Sequence, residues 1–370
     1  MRGEVALDSL TETIAEAFVG AGATRVSLDL LQPAGALLDL YGEDIRARAY
    51  TTYDPNLGEM MLRPDFTVPI VQRHMRAGAN PARYTYSGPV FRVPPAGSGR
   101  PRDTLQVGYE LFGQEDRAAA DAEVFALFSR ALAGFDLAPA TGDMGILLSA
   151  IDSLETTARR RRALRRHLWR PRRFRALFDR FAGRADPTPA RQEMVSTMRK
   201  SGIDAMVADA GPAHGLRDVS AVRLRLERLA EDADAPAIPA AQADAIDLLL
   251  DLRDSLPKAH ATLRNMAPDL PGIDAAVDGM AQRMAALDAA DINPDTLPFE
   301  ASFGRTNMEY YDGFVFGFSV RTRPDLPAVA TGGRYDALTA VLGQGTGIPA
   351  VGGVVRPEIL AADQKGSVGL

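Results

Sequence analysis

The 370-residue chain carries 42 Lys and Arg against 48 Asp and Glu, a net charge of −6 that argues against a general polyanion binder. It has no cysteine, which excludes structural disulfides, thiol nucleophiles and cysteine-bearing zinc or iron–sulfur centres, and which fits the expected cytoplasmic location. The length leaves room for two domains, and no stretch approaches the roughly 20 apolar residues of a membrane span.

The N-terminus lacks the apolar core of a signal peptide. Residues 5–21 place apolar side chains at helical spacing, with Glu12 and Glu16 on the other side, and predict an amphipathic first helix. Short strands are expected from there to about residue 113. The most informative lie at its end: two apolar runs, 84–92 and 105–113, joined by Pro94, Pro95, Gly97, Gly99 and Pro101. They predict an antiparallel pair with a long connection suited to covering a ligand. Strand side chains alternate between faces, so Gln106, Gly108 and Glu110 project together, the glycine leaving room between an amide and a carboxylate. If Arg92 points into the same cavity, the face can hold a small zwitterion. Otherwise it is an ordinary hairpin with a solvated polar face.

Residues 116–132 read as a helix packed on the sheet, followed by a strand near 143–147. From about 150 to 290 the texture becomes rich in alanine, arginine and leucine at helical spacing, broken by Pro187, Pro189, Pro212, Pro236, Pro257 and Pro268. This predicts a separate helical insertion. Within it, residues 159–175 form the strongest charge run. Trp169 and Phe174 among the arginines would suit RNA or an acidic partner. The preferred reading is a core stripe of Leu164, Leu168, Phe174 and Leu177, its back solvated by arginines that pair with acids such as Asp179, so no nucleic acid is expected. Strand patterns return at 298–304, 312–321 and 349–355. His74, His167, His214 and His260 lack metal-ligand spacing, and neither a metal nor a cofactor is implied.

The segment 84–113 resembles motif 2 of the class II aminoacyl-tRNA synthetases, in its histidyl-tRNA synthetase version. Further segments resemble that family in the family's order: Tyr41 to Arg46 near the end of motif 1, Leu62-Arg63-Pro64-Asp65-Phe66-Thr67, the histidine-specific strand at Glu309 to Phe316, Gly332-Gly333-Arg334-Tyr335-Asp336, and a degenerate motif 3 from Pro349 to Gly353. The resemblance implies an α+β fold: a class II synthetase-like antiparallel sheet flanked by helices over 1–150 and 295–370, with the helical insertion at 151–294. No anticodon-binding domain is expected after motif 3. It also implies a histidine site, with Asp65 and Thr67 at the amino group, Arg92 and Gln106 at the carboxylate, and Glu110, Tyr310, Tyr311 and Tyr335 around the imidazole. For Gly332-Gly333 a tight turn with Arg334 on the surface is the plainer alternative.

The ATP side of the family's site is not matched. Pro94 stands where the family has a glutamate, Ile359 where it has the motif 3 arginine, and Thr306 where it has a catalytic arginine. Arg305 sits one residue early, on the opposite face of a strand unless a bulge at Thr306-Asn307 restores it. Arg356 could stand in for the motif 3 arginine only on a different backbone. No catalytic residue is expected. This combination resembles the regulatory-subunit family of short-form ATP phosphoribosyltransferases. It implies a non-catalytic homodimer that joins the catalytic subunit in a hetero-oligomer, supports the first step of histidine biosynthesis and carries feedback by histidine. The alternative is a truncated histidyl-tRNA synthetase-like enzyme that activates histidine or modifies another acceptor.

Overall fold

A computed structural model describes residues 2–35, 48–94, 96–210, 218–306 and 310–367. The motif 1 segment Tyr41 to Arg46, and Pro95, Asn307 and Glu309 of the other motifs, lie outside the described residues. The described strands are β1 (Thr24–Arg25), β2 (Leu31–Pro33), β3 (Thr51–Asp54), β4 (Gly58–Leu62), β5 (Ala82–Phe91), β6 (Asp103–Phe112), β7 (Leu137–Asp143), β8 (Arg253–Ser255), β9 (Pro298–Glu300), β10 (Phe314–Val320), β11 (Ala330–Arg334) and β12 (Ala350–Val355). Nine of them form one sheet in the order β1-β5-β6-β12-β11-β10-β7-β9-β8, and β2-β4-β3 form a second.

The chain divides into two units, the larger comprising 1–147, 251–265 and 274–370, the smaller 148–250 and 266–273. In the larger unit β5 and β6 pair antiparallel from Ala82↔Phe112 to Phe91↔Asp103, as the two apolar runs predict. The neighbours β12, β11, β10 and β7 continue antiparallel. Helix Arg117–Ala131 and the N-terminal helix Arg2–Gly20 bring Phe125, Phe128 and Phe18 onto this sheet. Their rings meet Tyr109, Phe316 and Phe318 at 5.3–5.6 Å, and Phe18 meets Phe128 at 5.1 Å, within the range of favourable aromatic pairs.

Four expectations are corrected. The strand expected at 143–147 lies earlier, at β7, because Asp143 Oδ1 accepts the Gly145 N–H at 2.8 Å and starts helix Met144–Ser153. The strand expected at 298–304 is only three residues long, and turns follow to Thr306. Residues 251–265 and 274–289, expected within the insertion, group with the larger unit: β8 pairs with β9, and Arg283 of helix Asp274–Ala289 bonds Asp121 and Asp143. Finally, Gly332-Gly333 is no turn but the middle of β11, and Arg334 is buried, bonding Asp121 at 2.7 and 2.9 Å and Asp336 at 2.9 Å.

The smaller unit is helical throughout its described secondary structure. Leu164, Leu168 and Phe174 of the arginine-rich segment are buried as expected, together with Phe178 and Phe181, whereas Leu177 is only half-buried. The arginines face acids: Arg175 lies 3.6 Å from Asp179 and also bonds Asp247, Arg160 bonds Asp232 at 2.7 Å, and Arg165 bonds Asp152. Among the described residues no helix is long and apolar enough to cross a membrane.

Candidate functional site

Asp65, Thr67, Arg92, Gln106, Glu110, Tyr310, Tyr311 and Tyr335, from five separate stretches of sequence, line a single small cavity in the larger unit. Arg63 explains part of this convergence. Its guanidinium donates to Leu28 O at 2.6 Å and Pro89 O at 2.9 Å and lies 3.9 Å from the Phe66 ring, pinning the loop that delivers Asp65. Asp65 then accepts the Val68 N–H at the start of helix Thr67–Ala77.

Glu110 is the centre of the cavity. Its carboxylate accepts from Tyr335 Oη at 2.5 Å, Tyr86 Oη at 2.7 Å and Thr67 Oγ1 at 3.4 Å, and Tyr310 Oη donates to Thr67 at 3.2 Å. Full burial pushes Glu110 up to about 7, against the pull of those hydroxyls and with the charge of Asp65 adding to the rise. The same burial, with Glu110 beside them, holds the Tyr86 and Tyr335 phenols well above their ordinary value. Glu110 fits only because Gly352 faces it across β6 and β12: a Cβ there would stand 1.7 Å from Glu110 Oε2.

Two polar groups face the cavity with capacity to spare. Gln106 is 2% exposed, and its Oε1 has no hydrogen-bond partner, which makes it an acceptor waiting for a donor. Arg92 stands exposed, held by its Nε to Pro64 O at 2.8 Å. Near it lies Arg356, bonded to Ala328 O and Thr331 Oγ1 at 3.0 Å each, and brought down to about 10 by burial and then by the charge of Arg92. A cavity lined by the carboxyl groups of Asp65 and Glu110 and by two guanidiniums is chemically bipolar, matched to a zwitterion.

Two cavity-forming residues escaped the sequence reading. The space left by Gly108 is filled by Tyr86, its cross-strand partner, whose ring would meet a Cβ at 2.2 Å; the gap is therefore not free for a ligand. A tyrosine opposite a glycine in an antiparallel pair was the available signal. Arg356, considered only as a replacement for the motif 3 arginine, lines the cavity itself, whereas Arg305 is not among the lining residues. Arg305 is buried in a turn rather than a strand, so the alternation argument for its direction does not apply, and Thr306 beside it is exposed.

A family profile described as Histidyl-tRNA synthetase matches residues 5–255 and 223–360. A protein of Brucella ovis named ATP phosphoribosyltransferase regulatory subunit is 32% identical over 345 residues, covering 89% of this chain and 90% of its own. A Brucella anthropi protein of the same name is 30% identical over 361 residues, covering 93% and 94%. Among solved structures, an ATP phosphoribosyltransferase regulatory subunit/histidyl-tRNA synthetase from Bacillus halodurans superposes with a TM-score of 0.67 at 21% identity, covering 96% of this chain and 78% of that one. A histidine–tRNA ligase subunit from Alicyclobacillus acidocaldarius gives 0.59 at 21% identity, covering 98% and 93%.

Proposed function

Because the chain belongs to the ATP phosphoribosyltransferase regulatory-subunit family, a histidyl-tRNA synthetase-like branch of the class II fold, we propose that it is the non-catalytic partner of a short-form catalytic subunit and that its cavity binds histidine. The observation that carries the ligand reading is the bipolar cavity. The ligand's carboxylate pairs with Arg92 and Arg356, its ammonium with Asp65 and Thr67, and its imidazole with Glu110 among Tyr310, Tyr311 and Tyr335; Gln106, expected at the carboxylate, offers its unsatisfied Oε1 to the ammonium instead. The adenylate half offers no matching support: Pro94 has no side-chain acceptor, and Ile359 has no charge.

The cavity as it stands has a volume of only about 20 Å³, room for roughly one water. In so little space, with Tyr86 and Tyr335 already against the Glu110 oxygens, an imidazole N–H reaches that carboxylate only once a tyrosine ring moves. Binding is then tied to a rearrangement of the tyrosines, and a ligand that prefers one arrangement shifts the population toward it. This is the route by which histidine would regulate the catalytic partner, in the cytoplasm and with no nucleic acid in the assembly. Exposed Leu31, Tyr53 and Leu57 on and beside the β2-β4-β3 sheet favour a homodimer through that part of the chain.

The test is to mix the purified chain with the short-form catalytic subunit of the same organism and follow phosphoribosyl-ATP formation with and without histidine. Activity that rises on mixing and falls with histidine is the expected result. No complex and no change in rate, together with histidine-dependent pyrophosphate exchange by this chain alone, would replace the reading with that of an enzyme.

A further inference from the structure

The helical unit holds a second cavity, of about 650 Å³, that owes nothing to the histidine reading. It lies among helices Ala158–His167, Pro171–Phe181, Pro189–Ser201 and Val219–Asp234. Its lining carries five cationic side chains, Arg160, Arg180, Arg191, Arg199 and Lys200, against the carboxylates of Asp186 and Asp232. Asp232 is already shared: it accepts from Arg160 Nε at 2.7 Å and from Arg191. Arg199 is paired with Asp234 at 2.7 Å.

Arg180 and Lys200 are left over. Neither side chain makes a hydrogen bond or ion pair to any described residue, and Arg180 Nε is buried without an acceptor. Arg180 is also crowded by like charge. Its guanidinium and that of Arg160 each lie 4.9 Å from the centre of the Phe181 ring, and burial together with the charges of Arg191 and Arg160 lowers its pKa. The chain thus confines three guanidiniums around one carboxylate in a concavity where a fourth partner, an anion, would relieve both the repulsion and the unmet donor.

We propose that this cavity binds a small phosphorylated molecule, its phosphate held by Arg180 and Lys200 with Gln192 and Ser196 as further donors. A guanidinium fork and an ammonium are the groups that suit phosphate oxygens. The volume falls within the range of about 300 to 1,000 Å³ typical of small-molecule sites, which leaves space beside the phosphate for a sugar or nucleoside. Asp186 stands exposed in the lining and disfavours a ligand that spreads negative charge across the whole cavity.

Isothermal titration of the full chain with inorganic phosphate, ribose 5-phosphate and adenosine 5′-monophosphate tests this. At least one is expected to bind, and Arg180→Gln and Lys200→Ala are each expected to weaken it by about tenfold or more, the usual loss for a charged hydrogen bond. Lys200 is exposed, so its variant keeps the fold and guards against a misfolded Arg180→Gln. Equal binding of phosphate and the two esters assigns free phosphate as the ligand; preference for an ester assigns the sugar or nucleoside part to the remaining space. Binding of none of the three at millimolar concentration, or binding unchanged in both variants, overturns the proposal. So does a preference for RNA that displaces the small probes.

Discussion

Arg334 and Tyr335 are adjacent at the end of β11, yet they serve two opposite ways of burying a carboxylate. Arg334 reaches Asp121, which also accepts from Arg283 at 3.1 Å, so a buried acid is matched by two permanent cations. Tyr335 reaches Glu110, which receives only hydroxyl dipoles. Both acids are fully buried and pushed upward by desolvation, Asp121 against the charges of two guanidiniums and Glu110, to about 7, against hydroxyl dipoles alone. Charge compensation makes a fixed strut, and dipole compensation makes a group that can change protonation and exchange partners near neutral pH.

The largest effect comes from breaking the strut. Asp121→Ala leaves Arg283 facing only Asp143 and removes the acid that holds Arg334 in the interior. Removing one member of a buried ion cluster typically costs about 3–5 kcal/mol, and urea denaturation is expected to show a loss of that size. A loss below about 1 kcal/mol would mean that the cluster is not structural and that the contrast with Glu110 is wrong.

Glu110→Gln tests the other half. The folded value of about 7 lies above the unfolded value of 4.5, so the folded state holds the proton more tightly. The stability this supplies is complete below about pH 4.5 and is lost as pH rises through about 7, a swing of about 3 kcal/mol. Glutamine carries no charge and escapes that loss. The variant is expected to match the parent near pH 4.5 and to exceed it at pH 8, by up to that amount less the cost of poorer pairing with the phenols. A gap that widens toward acid instead would show that Glu110 is not held above its ordinary range. In the histidine reading the same change weakens binding by about 1–3 kcal/mol, measured by calorimetry at pH 8.

How much of this contrast the sequence disclosed depends on how far the contributing residues lie apart. Gln106 and Glu110 were legible because strand alternation is local, and the remaining cavity residues were placed by motif resemblance. Tyr86 was missed because its role depends on the cross-strand register that sets it over Gly108, and Arg356 because β12 had to be threaded between β6 and β11 before its end could face the cavity. The cluster of Asp121, Asp143, Arg283 and Arg334 was not legible at all. Its members are spread over more than 200 residues, and nothing in the spacing of isolated Asp and Arg residues distinguishes a buried pair from a solvated one. The same limit misplaced the insertion boundary, since helix Asp274–Ala289 has the texture of the helical unit but is tied to the sheet by Arg283.

The smallest change sharpens the comparison most. Tyr335→Phe keeps the ring and deletes the hydroxyl that donates to Glu110 at 2.5 Å. That bond favours the charged carboxylate, so its loss moves Glu110 further up and destabilises the fold chiefly above pH 7, by about 1 kcal/mol or somewhat more because the acceptor is ionised there. Below pH 4.5 the acceptor is a neutral carboxyl, and the cost shrinks. The decisive comparison is Tyr335→Phe in the Glu110→Gln background, where no charge remains to be stabilised at any pH. If the hydroxyl acts through the carboxylate, the pH dependence of its effect vanishes in the double variant, and the difference between the two cycles is the coupling energy. An effect of Tyr335→Phe that is the same at pH 4.5 and pH 8 in both backgrounds would reduce Tyr335 to packing and leave Glu110 resting on Tyr86 and Thr67.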